Sequence, residues 1–149
     1  MNSNKFYGDL KLGILGGGQL GRMLIQSGIS FDITTSVLDP NRDAPCHAFC
    51  HEFKTGSLTD YQTVYNFGKT CDIVTIEIEN VNVQALKDLE REGVTVYPQP
   101  HVIEIIQDKR KQKEFYINNS ITTSPFILTE NKLITKQLNS VFFLLFDEG

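Results

Sequence analysis

The stretch that most limits what this chain can fold into is Lys11-Leu-Gly-Ile-Leu-Gly-Gly-Gly-Gln-Leu-Gly-Arg22. A short apolar run, Lys11 to Leu15, enters three consecutive glycines. Gln19 to Gln26 then takes up a helical period, with Leu20, Met23 and Leu24 on one face. The order is strand, tight turn, helix. Gly16, Gly18 and Gly21 stand in the G-x-G-x-x-G spacing. The first two let the backbone turn with no Cβ in the way, and the third lets the helix pack closely on the strand. The N–H groups at the turn and the helix dipole favour an anionic group beyond the strand's carboxyl end.

The remaining segments keep the same rhythm. Asp32 to Leu38 is rich in β-branched residues and predicts a second strand, stopped at Asp39-Pro40 because proline cannot continue it. Asn41 to Pro45 is loop, and His51 to Thr55 holds a very short third strand. Thr59 to Phe67 predicts an amphipathic helix, capped by Thr59 with Gln62 three residues on. Asp72 to Glu79 is the most strand-like segment. Asn82 caps a helix over Val83 to Glu92 that Gly93 stops. Val94 to Tyr97 is a strand closed by Pro98-Gln-Pro100, and a single helix follows from about His101 to Asn118. Strands alternating with helices imply βαβ units, hence an α/β fold: a doubly wound parallel sheet with helices on both faces. The expected division is a polar leader over residues 1–10, the α/β domain over 11–119, and a different segment over 120–149. That last segment holds a six-residue apolar run without period, Val141 to Phe146.

Bulk properties exclude several classes. The chain of 149 residues suits one domain with a sizeable core, and 40% apolar with 21% charged residues suits a soluble globular protein. A net charge of −4 gives no reason to expect a nucleic acid partner. No run approaches the ~18 apolar residues of a membrane span, and Met1 to Asp9 lacks the apolar core of a signal peptide. An odd count of three cysteines argues against a disulfide framework. The expectation is a reduced, cytoplasmic protein.

Five features can carry chemistry, and each has a plainer reading. Gln19, directly after the glycines, either contacts a ligand or is a polar helix start facing solvent. Asp39 lies at the carboxyl end of the second strand, where dinucleotide folds place an acid on the ribose hydroxyls; it is equally an Asp-Pro turn starter. Glu77 and Glu79, two apart on a predicted strand, point to one face at the edge where open α/β sheets bind ligands, or simply reach solvent. Cys46, His47, Cys50 and His51 crowd into six residues. Zinc sites draw on separated ligand pairs, so no metal site is expected and buried cysteines beside surface histidines are the plainer account. The basic run Lys109 to Lys113 is either a solvated helix face or one flank of a phosphate site.

Taken together, Gly16-Gly-Gly-Gln-Leu-Gly-Arg-Met23, Leu38-Asp-Pro40, Ala44-Pro-Cys46, Asp72, Thr75-Ile-Glu-Ile-Glu-Asn80, Pro98-Gln99, Gln107-Asp-Lys109 and Lys113 resemble one family in order and spacing. It is the carboxyaminoimidazole ribonucleotide synthetase family, the ATPase subunits of phosphoribosylaminoimidazole carboxylase, within the ATP-grasp superfamily. The resemblance runs from about Lys11 to Phe126 and implies the family's N-terminal, Rossmann-like pre-ATP-grasp domain. It implies an ATP-dependent ligase of purine biosynthesis: ATP activates bicarbonate as carboxyphosphate, and the exocyclic amine of aminoimidazole ribonucleotide is carboxylated. By the same resemblance Gly17, Gly18, Gln19, Leu20, Asp39, Glu77 and Asn80 bind the ribonucleotide, with Glu77 on its ribose or amine side. Lys109 stands where relatives carry an arginine that touches ATP; the swap keeps the charge and loses the planar fork. Family members use ATP with magnesium, and a homodimer is implied.

From about Ser140 the sequence departs from the family's pattern, so residues 120–149 are expected to hold a linker and the start of an incomplete ATP-grasp domain. This polypeptide alone is then expected to hold part of the ribonucleotide site, to bind neither ATP nor magnesium tightly, and to be inactive; no catalytic residue is assigned. Two other classes fit the glycine spacing: a nicotinamide-dependent oxidoreductase domain, which Asp39 permits, and a non-catalytic binding module. The Gln-Leu-Gly-Arg-Met continuation and the paired glutamates argue against hydride transfer, which needs neither.

Overall fold

A computed structural model describes residues 10–124 and residue 126. Residues 1–9 of the leader and the Val141–Phe146 run lie outside the described residues. Two compact units are present, one ending at Lys109 and the other starting at Arg110.

The first unit alternates strands and helices: β1 (Lys11–Leu15), α1 (Gln19–Ile29), β2 (Thr34–Asp39), β3 (Glu52–Thr55), α2 (Tyr61–Gly68), β4 (Ile73–Ile76), α3 (Val83–Arg91), β5 (Thr95–Tyr97) and α4 (Pro100–Gln107). The five strands form one sheet in the order β3-β2-β1-β4-β5, and every pairing is parallel. The expected doubly wound sheet is therefore present. Alternation along the strands sends neighbours to opposite faces. Ile14 and Val37 pack with Ile25 of α1 and Cys46 on one face. Leu15, Leu38 and Val74 pack on the other face with Val64 and Phe67 of α2, Leu86 and Leu89 of α3, and Ile103 of α4.

Four expectations need correction. The residues that helix α1 buries are Gly21, Ile25 and Gly28, whereas Leu20 and Met23 are 67% and 60% exposed and Leu24 is exposed as well. Gly21 lies close over the sheet, where a Cβ would stand 3.5 Å from Ile14 Cγ2, and Leu20 and Leu24 beside it line an open cavity with Thr75 and Ile76. The cap of α2 is Asp60, whose carboxylate accepts the Thr63 N–H at 2.8 Å; Thr59 instead donates its N–H to the Ser57 hydroxyl. The helix expected over His101 to Asn118 is two, because Asp108 adopts extended φ/ψ of −108° and 106° between α4 and α5 (Lys109–Asn118). Finally β4 ends at Ile76, so Glu77 and Glu79 lie beyond it.

In the second unit, Lys113 donates to the Thr123 hydroxyl at 2.9 Å and lies 4.8 Å from the Phe126 ring centre. No helix among the described residues is long and apolar enough to cross a membrane.

At the edge of the sheet, Glu52 accepts from Lys11 Nζ at 2.6 Å and from the Ser36 hydroxyl at 3.0 Å. These bonds, that from Lys11 first, hold its carboxyl down to about 2 from the ordinary 4.5. A carboxyl depressed in the folded state contributes stability that is fully present above its unfolded value and is lost as pH falls toward the folded one. The half-exposed pair is screened by salt, so the effect is modest. Urea midpoints for the wild type should fall between about pH 5 and about pH 3 by more than those of Glu52→Gln. Equal losses in the two proteins would show that Glu52 does not set this slope.

Candidate functional site

The site is built by register. Leu15 of β1 aligns with Leu38 of β2 and with Ile76 of β4. The next residue on each chain is Gly16, Asp39 and Glu77, so the turn and two acids emerge together at the carboxyl end of three adjacent strands. The backbone carries the alignment one step further: Gly16 N–H donates to Leu38 O at 3.0 Å and Glu77 N–H to Leu15 O at 2.8 Å. Gly16 then turns with φ of +103°, a region that costs a side chain dearly.

The glycine turn is held from below and from the side. The Gly17 N–H donates to Asp39 Oδ2 at 2.6 Å, and Asp39 Oδ1 accepts the Asn41 N–H at 2.7 Å. The Gly17 carbonyl accepts the Cys46 N–H at 3.0 Å, and the Cys46 thiol donates to the Gly18 carbonyl at 3.5 Å. Cys46 is fully buried, and a Cβ on Gly21 would stand 3.0 Å from its sulfur. Burial, with Cys50 and the carboxylates of Glu77 and Asp39 adding to it, pushes this thiol up to about 11. It therefore remains a protonated donor at neutral pH.

Glu77 closes the other side. A Cβ built on Gly18 would lie 2.5 Å from Glu77 Oε1, and one on Gly16 would lie 2.7 Å from Oε2. The carboxylate thus occupies the space that both missing side chains leave. Helix α1 starts here with no side chain capping it, so the favourable field of its N-terminus is met by an acid of the chain itself. Glu77 also lines a cavity of about 140 Å³ with Leu20, Leu24 and Thr75.

The profile of the ribonucleotide synthetase preATP-grasp domain family matches residues 10–107. The chain belongs to this family. It is 36% identical over 144 residues to N5-carboxyaminoimidazole ribonucleotide synthase of Staphylococcus aureus (strain MRSA252), covering 95% of this chain and 38% of that protein. The crystal structure of N5-carboxyaminoimidazole synthetase from Staphylococcus aureus complexed with ADP superposes with a TM-score of 0.78 at 34% identity, covering 93% of this chain and 37% of that one. The enzyme from Aspergillus clavatus, in complex with ADP and 5-aminoimidazole ribonucleotide, gives a TM-score of 0.69 at 37% identity, covering 76% of this chain and 30% of that one. The chain spans well under half the length of these relatives.

Within this preATP-grasp domain, the structure brings together Gly17, Gly18, Asp39 and Glu77, with Gln19 and Leu20 exposed beside them at the start of α1. Asn80 is exposed three residues beyond Glu77, and Lys109 is exposed at the start of α5. The two glutamates are not a matched pair on a strand. Glu77 lies against the turn, whereas Glu79 is exposed in the bend that follows β4. The four crowded cysteine and histidine side chains go to separate partners. His47 packs its ring on Phe53 with centroids 4.7 Å apart, His51 Nδ1 meets Thr35, and Cys50 donates to the His47 carbonyl. Two residues matter more here than their sequence context shows. Cys46 holds the turn, and Gln107 donates to the Glu79 and Val81 carbonyls at 2.7 and 2.8 Å, tying the loop after β4 to the end of α4. Both stand in the strings that carry the family resemblance, which was the one signal for Gln107, while Cys46 was also read as a buried cysteine of the cysteine–histidine cluster.

Gly16→Ala and Gly18→Ala should differ in cost. Each places a methyl against the Glu77 carboxylate, whose flexible end can move; at Gly16 the methyl also meets Ile78 Cγ2 at 3.0 Å and Glu77 Cβ at 3.2 Å, and the backbone needs positive φ. In urea unfolding Gly16→Ala should cost about 1–3 kcal/mol more than Gly18→Ala. Equal costs would refute both the backbone argument and the tighter packing at Gly16.

Proposed function

We propose that this domain supplies the ribonucleotide-binding flank of an ATP-dependent ligase that carboxylates aminoimidazole ribonucleotide. In that reaction ATP phosphorylates bicarbonate, releasing ADP and giving carboxyphosphate. The ribonucleotide's exocyclic amine then attacks the carboxyl carbon, phosphate leaves, and the amine gives up a proton. The observation that carries the reading is the Glu77 carboxylate set against Gly16 and Gly18 beside the exposed Gln19 and Leu20. An ionised carboxylate only accepts hydrogen bonds, so it suits a ribose hydroxyl or the amine and opposes a phosphate. Gln19 can donate and accept beside it, Leu20 offers an apolar wall, and Gly17, Gly18 and Asn80 complete the candidate contacts.

The same charge weighs against a dinucleotide, whose pyrophosphate would have to lie on the glycine turn beside two carboxylates. Lys109 is proposed to touch ATP from one flank. Among the described residues there is no group of three or more acidic, histidine or cysteine side chains placed to hold a metal ion, and no step is assigned to one. Bicarbonate as substrate, a homodimer and a cytoplasmic location belong to the same reading. So does the assignment of residues 120–149 to a linker and the start of the ATP-grasp domain. Taken alone, the 149-residue polypeptide is proposed to bind the ribonucleotide, to bind ATP weakly and to be inactive.

Calorimetric titration of the 149-residue polypeptide with aminoimidazole ribonucleotide tests this reading. Glu77→Gln should weaken binding by about 1.5–3 kcal/mol, the worth of a charge-assisted hydrogen bond, while Glu79→Gln leaves it nearly unchanged. Equal affinities of the two variants would contradict the assignment, and tight binding of NAD would replace it with the oxidoreductase reading.

A further inference from the structure

We infer that Asp39 is a positioning residue of the ribonucleotide site, acting through Gly17, and not a ligand of the ribose; this rests on the function just proposed. Its place at the end of β2 is that of the ribose-binding acid in dinucleotide folds. Its bonds are different. One carboxylate oxygen takes the Gly17 N–H at 2.6 Å and the other takes the Asn41 N–H at 2.7 Å. The side chain is partly buried and lies flat against the turn, since a Cβ on Gly17 would meet Asp39 Cβ at 3.2 Å and Oδ2 at 3.3 Å.

The opposite side of the same residue is fixed as well, because the Gly17 carbonyl accepts the Cys46 N–H at 3.0 Å. Gly17 is thereby gripped at both its N–H and its carbonyl by two points on one stretch, Asp39 at the end of β2 and Cys46 about midway along the connection to β3. The next residues along are Gly18, whose missing side chain admits the Glu77 carboxylate, and Gln19, which opens α1. Asp39 thus sets the height of the turn over the strand ends, and with it the room left for Glu77. A charged acceptor holding a backbone N–H at short range supplies this preorganisation without touching the ligand.

The test is a cycle between residue and ligand, run on the 149-residue polypeptide with aminoimidazole ribonucleotide and its 2′-deoxyribosyl and 3′-deoxyribosyl analogues. Asp39→Ala should weaken all three by the same factor, about ten- to a hundredfold. Asp39→Asn, which keeps one acceptor oxygen, should recover part of that loss. In the amide spectrum of the unliganded protein, Asp39→Ala should shift Gly17, Gly18 and Glu77 and speed exchange at Gly17, while a melting curve shows the domain still folded at the assay temperature. A ribose contact would give the opposite pattern: Asp39→Ala would cost the ribonucleotide much and the deoxy analogue lacking the contacted hydroxyl little. That result overturns the inference and leaves the proposed function standing. Unchanged affinity in Asp39→Ala, or no recovery in Asp39→Asn, overturns it too. A wild type that binds none of the three ligands overturns the proposed function and this inference together.

Discussion

The structure depends on the two-sided pairing of β1. A parallel strand needs a crossover on each connection and both faces covered, and β1 has β2 on one edge and β4 on the other. Ile14 and Leu15 are fully buried on opposite faces. With this strand fixed, the helix after it must leave on one face and α2, α3 and α4 must close the other. The same pairing brings Gly16, Asp39 and Glu77 to a common level. The fold thus decides where chemistry can occur before any side chain at the site is considered.

What the site then does is set by charge. A glycine turn at a helix N-terminus offers N–H groups and a positive field, which is why such turns so often hold phosphate. Here two acids of the chain reach the turn first. Asp39 takes the Gly17 N–H, and the Glu77 carboxylate lies against Gly16 and Gly18. The turn has become a scaffold that holds acceptors in place. The absence of Cβ atoms at Gly16 and Gly18 serves the protein's own glutamate. The same glycine spacing can therefore support two opposite electrostatic outcomes, and the residues that decide between them are remote in sequence.

That remoteness explains what could be read from the sequence. The order of strands and helices, the placement of the glycine turn at the first strand-to-helix junction and the Asn82 cap come from local pattern, since each rests on residues a few positions apart. Family membership was legible because several short strings fall in one order. Periodicity misled wherever packing used small residues or a strand stopped at the sheet's carboxyl edge. The Leu20, Met23 and Leu24 face looked like the core side of α1, but the residues the helix buries are Gly21, Ile25 and Gly28. Apolar period locates a buried stripe only where size makes the contact; a contact made by glycine leaves the larger neighbours outside. Likewise Thr75 to Glu79 alternates like a strand, yet pairing ends at Ile76 because β1 itself ends at Leu15 and turns away. A strand cannot outlast the partner that satisfies its N–H and carbonyl groups. Glu77 and Glu79 consequently part company one residue after the ladder ends: Glu77 still donates its N–H to Leu15 O and is held against the turn, and Glu79, with no strand beside it, faces solvent.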